Sequence, residues 1–379
     1  MSGISAGDLR EDLLALSRGI HSEPELAYQE TRAVDRISAL LERHGHRVER
    51  PYGGLATSFR ARIGPSGPAV TLLAEYDALP GIGHACGHNL IAMTNAGAFL
   101  VAARQAERLP VGIELVGTPA EESGGGKLDL IDAGAFKGSV AVLSSHPGGG
   151  GGWECGNSSL GIVEKSVAFR GLASHAAYSP ERGRNALNGV IRLFVGVDGW
   201  RQHLPREARI HGVITDGGGP ASNIIPAHAE AKFGIRAATI EQLREMERTF
   251  EDIARGAALQ TGTEVEVAEA MRLYAPVRPH PRLTALLQEE LRSRGIEPQA
   301  PHQTMASTDL GNVSEVVPTD HVGFPVTKEK IAGHSNAMRD ASATDLAHQS
   351  AFTVVDVLAA AAVRIATDAT LRSELTRAR

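Results

Sequence analysis

The segment His84-Ala85-Cys86-Gly87-His88-Asn89 gathers a thiol and two imidazoles in one short stretch. Thiolate sulfur and imidazole nitrogen are good ligands for divalent transition metals, and Cys-x-His spacing on a loop lets both side chains turn inward. An isolated Cys-x-His is more often a buried thiol beside surface histidines, so the cluster needs company. Company comes from Glu121-Glu122, which follow the turn Gly117-Thr118-Pro119-Ala120, and from His146, which precedes Pro147. Taken singly, adjacent glutamates are solvated charges and a histidine before proline caps a turn. Taken as a pair, two carboxylates can divide labour, one ligating metal while the other takes a proton from metal-bound water.

The elements that must hold these residues give the combination its force. Ala69–Ala74 is a nearly continuous apolar run that reads as a buried strand, followed by the polar, glycine-rich segment 77–89 and a buried helix over 90–106. A strand over 113–116 leads to the glutamates, a helix over 127–133 follows, and a third strand over 140–143 ends at Ser144-Ser145-His146-Pro147. Three successive strands therefore deliver metal-compatible residues to one edge of a sheet, where ligands of open α/β folds collect. Upstream, residues 7–45 are helical, interrupted at His21-Ser22-Glu23-Pro24-Glu25 because proline restricts the residue before it. The five glycines 148–152 read as a short flexible turn. The rhythm then changes to strand 163–169, helix 185–203, strand 209–214, strand 229–237, helix 240–258 and strand 263–268, the β-α-β-β-α-β order of a ferredoxin-like unit.

The expected fold is thus α/β: an open, twisted, mostly parallel sheet with helices on both faces, interrupted by a ferredoxin-like α+β insertion. Residues 1–160 and 273–379, closed by a helix over 345–366, form the main domain, and residues 161–272 form the inserted one. The 379-residue length supports two cores. With 38 basic and 44 acidic side chains the formal net charge is −6, which offers no footprint for nucleic acid. Two cysteines cannot build a disulfide framework and point to a reducing, cytoplasmic compartment. No signal-peptide core opens the chain, and the longest apolar stretches fall short of the roughly 20 residues a bilayer demands, so no membrane role is expected. Gly81-Ile82-Gly83 is off register for a dinucleotide fingerprint, Gly126-Lys127 lacks the rest of a P-loop, and neither G-x-S-x-G nor H-E-x-x-H occurs.

The run Leu73-Ala74-Glu75-Tyr76-Asp77-Ala78-Leu79-Pro80, the cluster from His84 to Asn89, the turn from Pro119 to Glu122 and His146-Pro147 resemble the dimetal aminoacylase/carboxypeptidase family. Within it, they are similar to the branch of auxin-conjugate amidohydrolases, hippurate hydrolase, aminobenzoyl-glutamate hydrolase and β-alanyl-dipeptide hydrolases. His21 to Glu30 and Ser307-Thr308-Asp309 extend the resemblance over nearly the whole chain. It implies two divalent ions, zinc or manganese, with cobalt or nickel also compatible, held by Cys86, His88, Glu122, His146 and His334. Residue chemistry alone could not choose His334 over His321 or His348. The resemblance makes Glu121 the general base and leaves Asp77 to orient a ligand from behind, since Glu75 stands where other branches carry a histidine. It makes the insertion a lid and dimerisation domain, with His175 donating to the oxyanion and Asn223 and Arg236 gripping a substrate carboxylate. From the residues alone, His175 could cap a helix near Ser179, Asn223 could close a turn and Arg236 could form a strand-edge ion pair.

The expected activity is hydrolysis of the amide bond of an N-acyl or N-aminoacyl amino acid by metal-bound hydroxide, in a homodimer. Two alternatives stand beside it: release of a carbamoyl or amino group by the same chemistry, and an inactive homologue that only binds.

Overall fold

The computed structural model describes residues 6–377 of the chain, which divides into two compact units. The first comprises Met1–Ser158, Val277–Thr304 and Asp309–Arg379, and the second comprises Ser159–Pro276 and Met305–Thr308.

The first unit is built on a seven-stranded sheet. Its centre is four parallel strands in the order Gly112–Gly117, Ala69–Ala74, Ser139–Gly148 and Thr319–Pro325. Phe59–Ile63 and the short Val48–Glu49 extend one side antiparallel, and Glu154–Cys155 closes the other. All six residues of Ala69–Ala74 are buried because both faces of the sheet are covered. Leu72 joins a core with the helices Arg10–Ser22, Thr31–Arg43, His88–Ala103, Pro281–Arg292 and Asp345–Thr367, while Leu73 points to the opposite layer with Leu130 and Val313. The latter two sit on the helices Gly126–Asp132 and Leu310–Val316. Asp345–Thr367 is long and apolar enough to cross a membrane, beyond what the sequence pattern suggested. It packs against His88–Ala103 as a core helix, which accounts for its apolar composition.

The second unit is a four-stranded antiparallel sheet in the order Glu264–Tyr274, Gly161–Arg170, His228–Ala237, Arg209–Asp216, with the helices Ala186–Arg201 and Ile240–Thr261. Here burial alternates. Ala229, Ala231, Phe233, Ile235 and Ala237 are all fully buried, as the two-residue period of a strand with one covered face requires. Phe233 anchors this core, 4.7 Å from Phe194 and 5.0 Å from Phe250 between ring centroids.

Two local expectations change. The third strand does not stop at Ser144 but runs through His146 and Pro147 to Gly148, because Thr319–Pro325 pairs with it along its whole second half. That partner, with Phe59–Ile63, is a strand the sequence pattern did not reveal. The glycine run is also more than a loose turn: a Cβ on Gly149 or Gly150 would lie 2.4 and 2.2 Å from the carbonyl oxygens of Ile331 and Glu329. The run therefore lets the segment that leads to His334 pack backbone against backbone.

Candidate active site

The carboxyl ends of the parallel strands carry the cluster. Ala69–Ala74 runs directly into Glu75 and Asp77; Gly112–Gly117 leads to Glu121 and Glu122; Ser139–Gly148 holds His146. Cys86 and His88 sit where the chain enters the helix His88–Ala103. Gly87 makes that entry with φ +77°, and a Cβ there would stand 2.5 Å from Pro147 Cγ, so only glycine lets the two ligand-bearing segments approach. Gly126 does the same behind the glutamates, where a Cβ would meet the Pro119 carbonyl at 2.1 Å.

Side chains that share no sequence neighbourhood converge here. Cys86, His88 and His146 offer donor atoms within 4.8 Å of one another, as do Cys86, Glu122 and His334, and His88, Glu121 and Glu122. Cys86 Sγ lies 3.5 Å from His146 Nε2, and His334 Nε2 lies 3.5 Å from Glu122 Oε2. His88 Nδ1 is 2.9 Å from Asp77 Oδ1, and Asp77 Oδ2 accepts the Glu122 N–H at 3.0 Å. Asp77 thus fixes the imidazole's tautomer and leaves Nε2 facing Glu121 Oε2 at 3.9 Å and Glu122 Oε1 at 3.8 Å. His146 is oriented in the same way, with Nδ1 2.9 Å from the Pro147 carbonyl oxygen and Nε2 turned toward Cys86.

The electrostatics suit cations. His88 Nε2 and Glu122 Oε1 are buried without a hydrogen-bond partner, which proteins rarely tolerate unless something else satisfies them. Burial, reinforced by the neighbouring Glu122, holds the Glu121 carboxyl well above the usual carboxylate range. Burial pushes the Cys86 thiol up to about 12 and lowers the His146 imidazole. Burial also opposes charge on His88, but the Asp77 carboxylate and Cys86 outweigh it and hold that imidazole well above its ordinary value. A soft sulfur, imidazole nitrogens and carboxylate oxygens around orphaned buried atoms fit a divalent transition-metal centre.

Of the histidines that the residues alone could not separate, only His334 joins a ligand grouping among the described residues. His348 lies in the core helix with Nε2 3.1 Å from Ser17 Oγ, and His321 sits within Thr319–Pro325 opposite Ser144. His334 has φ +53° and its N–H donates to the Ala85 carbonyl, which ties it to the cysteine loop. His84, part of the opening cluster, is buried beside His21 at 6.2 Å between ring centroids and belongs to none of the groupings.

In the second unit, His175 and Asn223 come together. His175 pairs with Ile224 in a two-stranded ribbon, and the Asn223 carbonyl accepts the Ala176 N–H at 2.8 Å. His175 Nδ1 accepts the N–H groups of Ala177 and Tyr178, so the ring is held while Nε2 is not used by that turn. Arg236 projects from His228–Ala237 and donates to Ser307 Oγ at 2.7 Å. Sequence reasoning passed over Glu30, Lys127 and the pairing of Lys127 with both Glu75 and Asp309, all buried in the first unit. The only sequence signal for Lys127 is its place after three glycines, which suggested a failed P-loop.

The profile of peptidase family M20/M25/M40 matches residues 71–353. The chain is 36% identical over 375 residues to the mouse Xaa-Arg dipeptidase, covering 94% of this chain and 86% of the relative. It is 32% identical over 280 residues to a component of the p-aminobenzoyl-glutamate hydrolase of Escherichia coli, covering 68% and 58% of the two chains. In structure it is similar to a dinuclear metal binding peptidase of Bacillus subtilis, with TM-score 0.72 and 19% identity over 94% of this chain and 99% of the other. An aminobenzoyl-glutamate utilization protein of Klebsiella pneumoniae gives TM-score 0.71 and 18% identity over 95% and 97%. These likenesses support the resemblance first read from the motifs: the chain belongs to peptidase family M20/M25/M40 and is a hydrolase.

Proposed function

We propose that this hydrolase cleaves the amide bond of an N-aminoacyl or N-acyl amino acid with two divalent ions held by Cys86, His88, Glu122, His146 and His334. The observation that carries the reading is the convergence of those five side chains with Glu121 in three overlapping groupings, two of which share Cys86. Cys86, His88 and Glu122 each belong to two of the groupings, so any of the three would suit a place between two ions. Zinc suits the thiolate and imidazoles, and manganese, cobalt and nickel are compatible. When bound, such ions polarise the scissile carbonyl and supply hydroxide at neutral pH.

Each residue then has a task. Glu121, buried and lifted above the ordinary carboxylate range, accepts the proton of the attacking water and returns it to the leaving nitrogen. Asp77 keeps the His88 ring in one tautomer, and the Pro147 carbonyl does so for His146. From the second unit, which we take as a lid, His175 donates to the developing oxyanion while Asn223 and Arg236 hold the carboxylate of the leaving amino acid. The mouse relative's name favours dipeptides ending in arginine as first substrates.

The lid is also the proposed dimer contact. Arg209–Asp216 is an outer strand of its sheet, with Val213 60% and Ile214 47% exposed, and an open apolar edge is a template for a second copy. Both cysteines are free, in keeping with a reducing cytoplasmic setting.

Metal analysis of the purified protein followed by turnover of N-acyl, N-aroyl, β-alanyl and Xaa-Arg substrates tests the reading. We expect two ions per chain and release of a free amino acid. Ammonia in place of the amino acid would instead favour a carbamoyl- or amino-releasing enzyme, and ligand binding without turnover across the panel would favour the inactive homologue.

A further inference from the structure

The turn that carries Glu121 and Glu122 is braced by three buried carboxylates, each accepting one of its main-chain N–H groups. Glu30 Oε1 accepts from Ala120 at 2.8 Å, Asp77 Oδ2 from Glu122 at 3.0 Å and Asp309 Oδ2 from Lys127 at 3.1 Å. Ala120 is held at φ +60°, a conformation that costs an alanine energy and persists only where the surroundings impose it. At the far end of the turn a fully buried ammonium answers the acids. Lys127 Nζ lies 2.5 Å from Asp309 Oδ1 and 2.8 Å from Glu75 Oε1.

Three separate elements meet in that contact. Glu75 follows the strand Ala69–Ala74, Lys127 lies in the first turn of Gly126–Asp132, and Asp309 immediately precedes Leu310–Val316. Asp309 grips Lys127 by main chain and side chain together, across 182 residues of sequence, so the ammonium has one position available. Glu75 presents Oε1 to it. With Oε1 held there, the same carboxylate turns its other oxygen to the cluster: Oε2 stands 3.7 Å from His88 Nε2, the orphaned nitrogen that also faces Glu121 and Glu122. A buried ion pair is weak evidence for stability alone, because a well-packed apolar pair of similar volume often serves the fold as well or better. What an apolar pair cannot do is hold a negative oxygen at a set distance from a ligand nitrogen.

We propose that Lys127, gripped by Asp309, is a positioning residue that fixes Glu75 Oε2 against His88 Nε2 and thereby sets the charge and geometry the ligand cluster presents to its ions. The proposal rests on the dimetal reading above and adds to it a clamp outside the ligand set.

The test is cobalt(II) titration of the metal-depleted full-length protein, followed by its visible d–d bands, with steady-state kinetics on a dipeptide ending in arginine. Lys127→Met leaves two buried carboxylates without a counter-charge. Glu75→Gln keeps shape and the Oε1 acceptor, and it carries the test if Lys127→Met does not fold. The expected result for Glu75→Gln is an altered cobalt spectrum, cobalt affinity weaker by about 10- to 100-fold, and a kcat loss of similar size with KM within about twofold. Glu75→Asp and Lys127→Arg, which keep the charges, should recover part of the loss. A Glu75→Gln protein with the parental spectrum and kcat, whatever its melting temperature, overturns the clamp alone. A parent chain that takes up no cobalt overturns the clamp and the metal reading together.

Discussion

In the first unit Glu30, Glu75, Asp77, Lys127 and Asp309 are buried and tied to one another or to main-chain groups, whereas in the second His175 lies on a two-stranded ribbon with Asn223 beside it, both exposed. Their surroundings explain the contrast. Where both faces of a parallel sheet are covered, the polar side chains gathered beyond the carboxyl ends of its strands are shut off from water and must satisfy one another. His175 stands on a two-stranded ribbon separate from the four-stranded sheet, and among the described residues nothing in its unit covers it or Asn223. The first region is thus a fixed array, while the second leaves its groups accessible.

Chelation and His88→Ala probe the fixed region most severely. Each should remove turnover and bound metal together, as followed by metal analysis alongside activity; activity that survives exhaustive chelation would break the assignment of chemistry to the first unit. Glu121→Gln should keep its metal but lose roughly 10²- to 10⁴-fold in kcat, the usual worth of a positioned base. His175→Ala addresses the other side of the comparison. Because the residue is exposed, melting temperature and metal content should stay at parental values while kcat falls about 10²- to 10³-fold, the usual cost of an oxyanion donor. Parental kcat in that variant would confine the whole reaction to the buried cluster.

Asp77→Asn preserves shape but removes the charge behind His88, and metal affinity should drop by about 10- to 100-fold, as metal titration would measure. The smallest effect on chemistry is expected from Val213→Lys on the exposed edge. It should leave core packing untouched and shift the protein from dimer to monomer in sedimentation equilibrium; an unchanged mass would move the dimer contact elsewhere.

Much of the site was legible as a set of residues. Cys86, His88, Glu121, Glu122 and His146 stand out because metal-compatible side chains follow three consecutive apolar runs, and the change of rhythm after residue 160 announced the strands and helices of a second sheet. The strand Thr319–Pro325 was not legible. It contains Asp320, His321 and Gly323, and its place beside Ser139–Gly148 is set by pairing rather than by its own composition. Helix bounds moved by a few residues where caps decided them, as at Asn185, whose side chain accepts the Asn188 N–H.

The sequence by itself determined which atoms were available: the donor types, the alternation of apolar runs with polar turns, and the change of rhythm that separates the two sheets. These are local properties, carried by neighbouring residues and their spacing. Only the tertiary structure decided how His334, which the motif resemblance had singled out, reaches the cluster and what surrounds it. His334 meets Glu122, and Lys127 joins Asp309 across half the chain, because pairing and packing bring distant segments together. Burial then turns ordinary charges into a fixed array, since a buried carboxylate or ammonium persists only where a partner compensates the water it has lost.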